Sequence, residues 1–227
     1  MAEPVPADKM DGTEIQVPEE SLKKIVLVSL AVLLAFAALP QTAAAGIGIK
    51  GGFSLARFSA STTEPMPISF VNNAGVVAGV SADLGFGPLS IQPEILYARM
   101  GAKAQVESVE IKYLLDYIQV PVLLKLRVVQ AGPVRPVICA GGYGSWMIKG
   151  QGSSTNGVDS ESEDITEYMN RFDYGFVGGA GVEFKLPGVR LSVEGRYNFG
   201  LANVLKDPEN GSVLKNRTLM ALIGVGF

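Results

Sequence analysis

The sequence has no histidine and only one cysteine, Cys139, among its 227 residues. Without histidine the chain cannot form a serine–histidine–aspartate triad, and most zinc and non-haem iron sites are excluded as well. A single cysteine cannot form an internal disulfide, and we interpret Cys139 as an inert strand residue. We therefore predict no catalytic residues, no bound cofactor and no metal site.

Charge is also scarce, since 18% of the residues are charged and the net charge is −3. This balance offers neither a polyanion-binding tail nor a basic face, so nucleic acid is not an expected partner. Long apolar runs are nearly absent, and one run alone, 25–39, suggests a membrane segment. Glycine is abundant, with 27 residues spread along the chain, and no collagen-like triplet or low-complexity run explains them.

The start of the chain has the features of an exported protein. Residues 1–20 are polar, acidic and spaced by prolines, and we predict a disordered extension there, for which a start site assigned too far upstream is the alternative. Residues 21–45 have a positively charged start, an apolar run of about 15 residues and a small-residue cleavage region, which is the pattern of a Sec signal peptide. An uncleaved inner-membrane anchor is the alternative, although a spanning helix needs roughly 20 residues. The three parts are Lys23 and Lys24, residues 25–39, and Ala43, Ala44 and Ala45.

From residue 46 onward, apolar residues alternate with small or polar ones. The pattern is clearest at the end of the chain, where apolar residues occupy every second position up to Phe227. A period of two indicates strands with two different faces. We predict eight strands, each near the length of about 10 residues that a tilted strand needs to cross a bilayer. They are 46–56, 74–86, 89–100, 113–128, 135–148, 173–186, 189–201 and 217–227.

The connections between the predicted strands alternate in length. Long polar connections lie at 57–73, 101–112, 150–171 and 202–216, and tight ones lie at 87–88, 130–134 and 187–188. Aromatic residues divide into a belt near the long connections (Phe53, Tyr97, Tyr117, Trp146, Tyr174, Tyr197, Phe199) and one near the tight connections (Phe86, Phe184, Phe227). Two belts around an apolar band are what bilayer interfaces select. We therefore predict an all-β fold, an eight-stranded antiparallel up-and-down transmembrane β-barrel over 46–227, preceded by a cleaved signal-peptide helix, with both chain ends in the periplasm.

One face of the predicted strands carries charges of both signs. Because eight strands leave an interior only wide enough for side chains, charges on the inner face must pair. We predict an ion-pair network that fills the lumen, with Glu94, Glu194 and Arg196 at its centre. A narrow or gated pore lined by the same residues is the alternative. The predicted network consists of Lys50, Asp83, Glu94, Lys125, Glu183, Arg190, Glu194 and Arg196.

Three stretches are less regular. Pro93 and Pro121 lie inside predicted strands, where proline removes a ladder hydrogen bond, and we expect bulges or missing bonds with the two prolines facing each other. The strand 135–148 is apolar at both parities, so its faces cannot be assigned. The acidic connection 150–171 is interpreted as a solvated surface loop, because it lacks the ligand spacing of a calcium site.

Six motifs form a recognisable set: Gly48-Ile-Lys-Gly-Gly-Phe53, Gln92-Pro-Glu-Ile-Leu-Tyr97, Tyr117-Ile-Gln-Val-Pro-Val-Leu-Leu-Lys125, Arg135-Pro136 before Gly141, Gly178-Gly-Ala-Gly-Val182, and Arg196-Tyr197. This set resembles the PorT-like outer-membrane β-barrel family, which is common in the Bacteroidetes and their relatives, over nearly all of 46–227. The resemblance implies an eight-stranded outer-membrane barrel inserted by the barrel-assembly machinery, and it brings no enzyme site. The family often has an acidic residue where this chain has Gln119, so a charge pair at that position does not carry over.

The expected function is that of a non-enzymatic integral protein of a Gram-negative outer membrane, a structural or interaction barrel that displays four surface loops. The expected partners are outer-membrane lipid, the Sec translocon and the barrel-assembly machinery during biogenesis, and an envelope protein bound through the loops. We expect the C-terminal strand to carry the barrel-assembly signal. Its residues are Leu219, Ile223, Val225 and Phe227.

Two alternatives stay open at this point. The first is a narrow pore for ions or small solutes. The second is a soluble periplasmic barrel of the lipocalin kind with an apolar ligand inside, which requires the opposite polarity of the two faces. In that case Lys50, Glu94, Lys125 and Arg196 would lie on the outer wall.

Overall fold

The computed structural model describes residues 44–61, 70–106, 109–129, 131–155, 160–206 and 213–227. These ranges belong to one compact unit, Ala44–Phe227. No helix within them has the length and hydropathy to span a membrane. The predicted extension 1–20 and all but the last two residues of the predicted signal peptide lie outside the described residues.

The described residues form nine β-strands. Their bounds are β1 Ala44–Ser61, β2 Phe70–Phe86, β3 Leu89–Val106, β4 Val109–Arg127, β5 Val134–Thr155, β6 Ser160–Asp164, β7 Phe172–Leu186, β8 Val189–Gly200 and β9 Val213–Gly226. All paired neighbours are antiparallel. The order β4-β3-β2-β1-β9-β8-β7-β5 is closed by pairing between β4 and β5, while β6 pairs with β5 alone. The predicted eight-stranded antiparallel barrel is confirmed, and β6 is an addition to it.

The two ends of the barrel differ in how the strands are joined. At the turn end, β2–β3, β4–β5 and β7–β8 are joined through residues 87–88, 128–133 and 187–188. Gly87 and Gly188 have positive φ angles of 65° and 75°, which tight hairpin turns require and glycine adopts without strain. We call the opposite end, where the other strands are joined, the loop end. Both Ala44 and Phe227 belong to the turn end, since β1 starts and β9 finishes there.

Several strands continue well past the predicted limits at the loop end. The connection predicted at 101–112 is wrong, because β3 and β4 stay paired as far as Val106 and Val109. The connection predicted at 150–171 contains a β5–β6 hairpin, with Gln151 to Thr155 paired to Asp164 to Ser160. A strand of about 18 residues spans about 60 Å, which is more than twice the apolar band of roughly 25 Å. In the extension of β3 the inward residues are small, with Ala102 and Ala104 buried, so the period-two signal is weaker there than in the predicted strand.

The outer wall of the barrel is apolar and the inner wall is largely polar. Ile47, Phe53 and Ile223 point outward and are 71%, 70% and 64% exposed. Lys50, Glu94, Lys125 and Arg196 are buried on the inner wall. An apolar exterior around a charged interior is typical of a barrel embedded in a membrane. The soluble, lipocalin-like alternative is therefore wrong.

Strand β5 is now assigned a face. Val137, Cys139, Tyr143, Ser145 and Met147 are buried on its inner side. A bulge follows, because Tyr117 pairs with Met147 whereas Asp116 pairs with Lys149. The bulge reverses the parity beyond Ile148, where the predicted strand ends. Within that strand, apolar residues at both parities explain why the pattern was ambiguous.

Tyr117 does not belong to the outer aromatic belt to which it was assigned. Its side chain is fully buried on the inner wall of β4. It lies at the same parity as Gln119 and Lys125, which also face the lumen. Proximity to a strand end therefore misled the assignment, and the parity of the strand decides the face.

The two prolines interrupt ladders without shifting the register. Pro93 lies opposite Val122, next to Pro121 and not opposite it, so the expectation that the prolines face each other is wrong. The β3–β4 pairing stops after Pro93 and resumes at Leu96 with Gln119 in the same register. Missing ladder bonds, which we expected there, are the consequence of two adjacent residues that lack an N–H group.

Candidate functional site

The lumen contains a cluster of ion pairs at the turn end, which we call the ionic cluster. Glu194 accepts hydrogen bonds from Lys50 Nζ at 3.0 Å, from Lys125 Nζ at 3.2 Å and from Arg196 Nε at 3.0 Å. Glu94 accepts from Arg196 Nη1 at 2.6 Å and Nη2 at 2.9 Å, and its Oε1 lies 2.9 Å from Lys50 Nζ. Arg196 is therefore held between two carboxylates at the centre of the cluster.

The ionic cluster continues from this centre to the lumen mouth. Lys125 Nζ donates to Glu183 Oε1 at 3.0 Å, and Glu183 Oε2 accepts from Arg127 Nε at 2.9 Å. Arg127 Nη2 donates to Asp83 Oδ2 at 2.5 Å, and Arg190 Nη1 donates to the same oxygen at 3.0 Å. The contacts link β1, β2, β3, β4, β7 and β8 into one connected group.

All eight residues of the predicted network lie in the ionic cluster. Its members are the cations Lys50, Lys125, Arg127, Arg190 and Arg196 and the carboxylates Asp83, Glu94, Glu183 and Glu194. Sequence reasoning missed Arg127 alone, although it has the parity of Lys125 two positions earlier. With opposite charges matched almost one to one, the cost of removing these groups from water is offset within the lumen.

Two glycines of β7 make room for the centre of the cluster. Gly179 and Gly181 lie opposite Arg196 and Glu194 in the β7–β8 register. A Cβ atom added at Gly179 would lie 2.9 Å from Cγ of Arg196, and one at Gly181 would lie 2.9 Å from Cγ of Glu194. The long charged side chains lie over backbone that carries no side chain of its own.

Neutral polar side chains follow the ionic cluster toward the loop end. Gln119 donates to Ser145 Oγ at 3.2 Å and accepts from Asn198 Nδ2 at 3.1 Å. The position at which the PorT-like family often has an acidic residue is thus part of an amide network. Asp173, a buried carboxylate that the sequence did not single out, accepts from Asn216 Nδ2 at 3.0 Å and Tyr143 Oη at 3.3 Å.

A buried apolar cluster also lies in the lumen toward the loop end. Leu96, Ala98 and Met100 continue the inner face of β3 beyond Glu94 and belong to one buried cluster with Leu115 and Met147. Met169 and Val204, from the segments after β6 and β8, pack on the same cluster. An isolated β-bridge joins Met169 to Leu205, and Asn170 N donates to Val204 O at 2.8 Å. These two segments close the loop end of the lumen.

At the turn end, the lumen opens into a small cavity of about 30 Å³. Its lining includes Lys50, Asp83, Lys125 and Arg190 of the ionic cluster. All of its lining residues belong to the turn-end part of the barrel.

Both carboxylates at the centre of the cluster, Glu94 and Glu194, are engaged by cations. Across the described part of the chain, no group of three or more His, Cys, Asp or Glu side chains is placed to hold a metal ion. Cys139 is a buried free cysteine on the inner wall of β5.

Comparisons with known proteins agree with this geometry. Residues 38–206 match the family described as outer membrane protein beta-barrel domain. Neisserial surface protein A is 17% identical, the match covers 79% of this chain and 95% of that one, and the TM-score is 0.44. OprG from Pseudomonas aeruginosa is 12% identical, the match covers 82% of this chain and 97% of that one, and the TM-score is 0.49. Ail of Yersinia pestis is 15% identical, the match covers 80% of this chain and 98% of that one, and the TM-score is 0.39. No curated protein matches the sequence.

The family match extends over most of the chain and includes β1 to β8. The structure of the same chain is a closed eight-stranded barrel with an apolar outer wall and a buried ion-pair network. Sequence and structure thus lead to the same conclusion: the chain belongs to the outer membrane protein β-barrel domain family and is an outer-membrane barrel.

Proposed function

We propose that this protein is a non-conducting, non-enzymatic barrel that serves a structural or interaction role in a Gram-negative outer membrane. The observation that carries the proposal is the filled lumen. The ionic cluster occupies the turn end, and the buried apolar cluster with Met169 and Val204 occupies the loop end. Such a barrel works through its outer wall and its loop end, where an envelope protein binds the four surface loops.

The same proposal assigns an orientation and a route of assembly. The loop end faces the outside, and both chain ends lie in the periplasm, as in barrels with long outer loops and short periplasmic turns. The signal peptide 21–45 directs export through the Sec translocon. Cleavage after Ala45 leaves β1 starting at Gly46, because Ala44 and Ala45 are its first two residues.

The last strand has the features of a signal for the barrel-assembly machinery. Leu219 and Ile223 are exposed on the outer wall of β9, Val225 has the same parity, and Phe227, directly after the strand, is exposed as well. This surface is accessible before the barrel meets lipid. We also assign the chain to the PorT-like branch of the family, an assignment that the six motifs support.

Conductance in planar lipid bilayers tests the closed lumen. We expect no channel steps from the folded protein at high salt, because the ionic and apolar clusters occupy the lumen that the described residues form. A known porin reconstituted in the same way is the positive control. Reproducible single-channel steps that scale with the amount of folded protein would contradict the proposal.

A narrow pore for ions or small solutes is the second candidate. The small cavity at the turn end, lined by Lys50, Asp83 and Arg190, favours it, because charged groups there reach solvent. A pore also requires the loop end to open, and the packing of Met169 and Val204 opposes that opening. The bilayer measurement separates the two candidates.

A further inference from the structure

A row of two arginines and one aromatic crosses three neighbouring strands on the outer wall near the loop end. Arg57 of β1 lies opposite Arg217 of β9, and Arg217 lies opposite Phe199 of β8. All three have the outward parity of their strands, which also carries the exposed Phe53 and Ile223. The row marks the border at which the apolar outer wall ends.

Among the described residues, neither arginine has a carboxylate partner. Like charges directly opposite each other on paired strands repel and destabilise the pairing. Within the described residues, no Asp or Glu lies within salt-bridge distance of Arg57 or Arg217. Arg99 on the same outer wall is different, because its Nε donates to Asp116 Oδ1 at 2.7 Å. An anion bound at the Arg57–Arg217 pair would relieve this repulsion.

Arg217 is held in place for such an anion. Its guanidinium lies 3.6 Å from the centre of the Phe199 ring, within the range of a cation–π contact. Its Nη1 donates to the carbonyl oxygen of Gly200 at 2.6 Å and to that of Asn216 at 3.0 Å. A guanidinium anchored through one nitrogen keeps its other donors for a ligand and loses little rotamer freedom on binding.

The arginines line a groove that has one polar and one apolar side. The groove has a volume of about 190 Å³ and is lined by Leu55, Arg57, Asn72, Tyr197, Arg217 and Leu219. Leu55 and Leu219 pair with each other two positions from the arginines, on the side of the apolar band. Tyr197 pairs with Leu219 at the same level. An acyl chain fits the apolar side, and a phosphate fits the basic side.

We propose that this groove binds a phosphate-bearing lipid of the outer leaflet, with the phosphate between Arg57 and Arg217 and an acyl chain along Leu55 and Leu219. Guanidinium groups match phosphate oxygens in charge and fork geometry. Free phosphate leaves the apolar side of the groove empty, which is why the ligand is a lipid. The choice of leaflet rests on the orientation proposed above, whereas the binding chemistry does not.

Native mass spectrometry of the folded barrel in detergent tests the site. The probes are bisphosphorylated lipid A, the same lipid without its phosphates, and inorganic phosphate alone. We expect the phosphorylated lipid to stay bound, and the Arg57→Gln/Arg217→Gln variant to bind it at least about tenfold more weakly, because charge-assisted hydrogen bonds are lost. The phosphate-free lipid should bind to the native protein as weakly as the phosphorylated lipid binds to the double variant.

The matched control is Arg99→Gln, which removes a cation of the same wall that already has a carboxylate partner. Both variants must keep the gel mobility of the folded barrel, so that lost binding is not lost folding. The proposal is overturned if the double variant binds as tightly as the native protein. It is equally overturned if the phosphate-free lipid binds as well, or if inorganic phosphate at equal concentration displaces the lipid.

Orientation needs a separate readout. Tyr168 is exposed at the loop end, and in Tyr168→Cys/Cys139→Ser cells an impermeant maleimide should label the protein from outside. Labelling only after the outer membrane is opened would overturn the orientation and the choice of leaflet. Binding in detergent does not depend on orientation, so the two failures are distinguishable.

Discussion

At the scale of single residues, Arg196 is the side chain on which the ionic cluster depends most. It bridges Glu94 and Glu194, and all three side chains are almost completely buried. Parity along β3 and β8 was enough to place these residues on the inner wall. It was not enough to pair them, because Glu94 and Arg196 are 102 positions apart and meet only when the barrel closes. Arg127 was missed although its position on the inner wall could have been predicted, since it has the same parity as Lys125 on β4.

We predict that Arg196→Met destabilises the folded barrel by about 3–5 kcal/mol, because it leaves two buried carboxylates short of a partner. The measurement is urea unfolding in lipid vesicles, followed by the fluorescence of Trp146, the only tryptophan. Arg99→Met is the control, since the Arg99 side chain is 39% exposed and such pairs are worth at most about 1 kcal/mol.

A second variant separates lost charge balance from lost packing. Adding Glu94→Gln and Glu194→Gln to Arg196→Met removes the uncompensated carboxylates and should recover part of the lost stability. Equal unfolding midpoints for Arg196→Met and Arg99→Met would argue against a central place for Arg196 in the ionic cluster.

At the scale of elements, the strands within the bilayer were predictable and their extensions were not. Inside the membrane, lipid on one side and a filled lumen on the other impose a strict period of two. Beyond it, the inward residues are small, as at Ala102 and Ala104 of β3, or the strand is wholly polar, as in β6, so the signal is weaker. Strand β5 stayed ambiguous because apolar residues occupy both parities between 135 and 147.

We predict that Val193→Arg on β8 prevents stable insertion. Val193 faces lipid, between Val182 and Ile223 of the neighbouring strands, and arginine at mid-membrane costs about 2–4 kcal/mol. The amount of protein in purified outer membranes is the measurement. Val71→Arg is the control, because Val71 is equally exposed but pairs with Lys103 past the apolar band. Normal levels of Val193→Arg would show that the face assignment of β8 is wrong.

At the scale of the whole molecule, closure of the barrel provides the stability. No strand of the eight has a free edge, and the ionic cluster cross-links six of them. Closed barrels resist detergent because unfolding must break ladders on both sides of a strand at once. The same closure brings Arg57 next to Arg217 and Phe199 on the outer wall, because β1 pairs with β9 only in the closed barrel.

We predict that the membrane-extracted protein migrates faster on a denaturing gel when it has not been boiled. The folded barrel stays compact in detergent, whereas the boiled chain is extended. The boiled sample of the same preparation is the control. Identical mobility with and without boiling, together with recovery in the soluble fraction, would contradict a membrane-embedded barrel.

The local pattern of residues was sufficient for the fold class, the number of barrel strands and the side of the wall on which each charge lies. These properties depend on the period of two and on turn residues such as Gly87 and Gly188, which act between near neighbours in the chain. The partner of each charge, the face of β5 and the Arg57–Arg217 row required the closed barrel. They depend on register between strands as far apart as Lys50 and Glu194, 144 positions along the chain, and such long-range pairing leaves no mark in either strand alone.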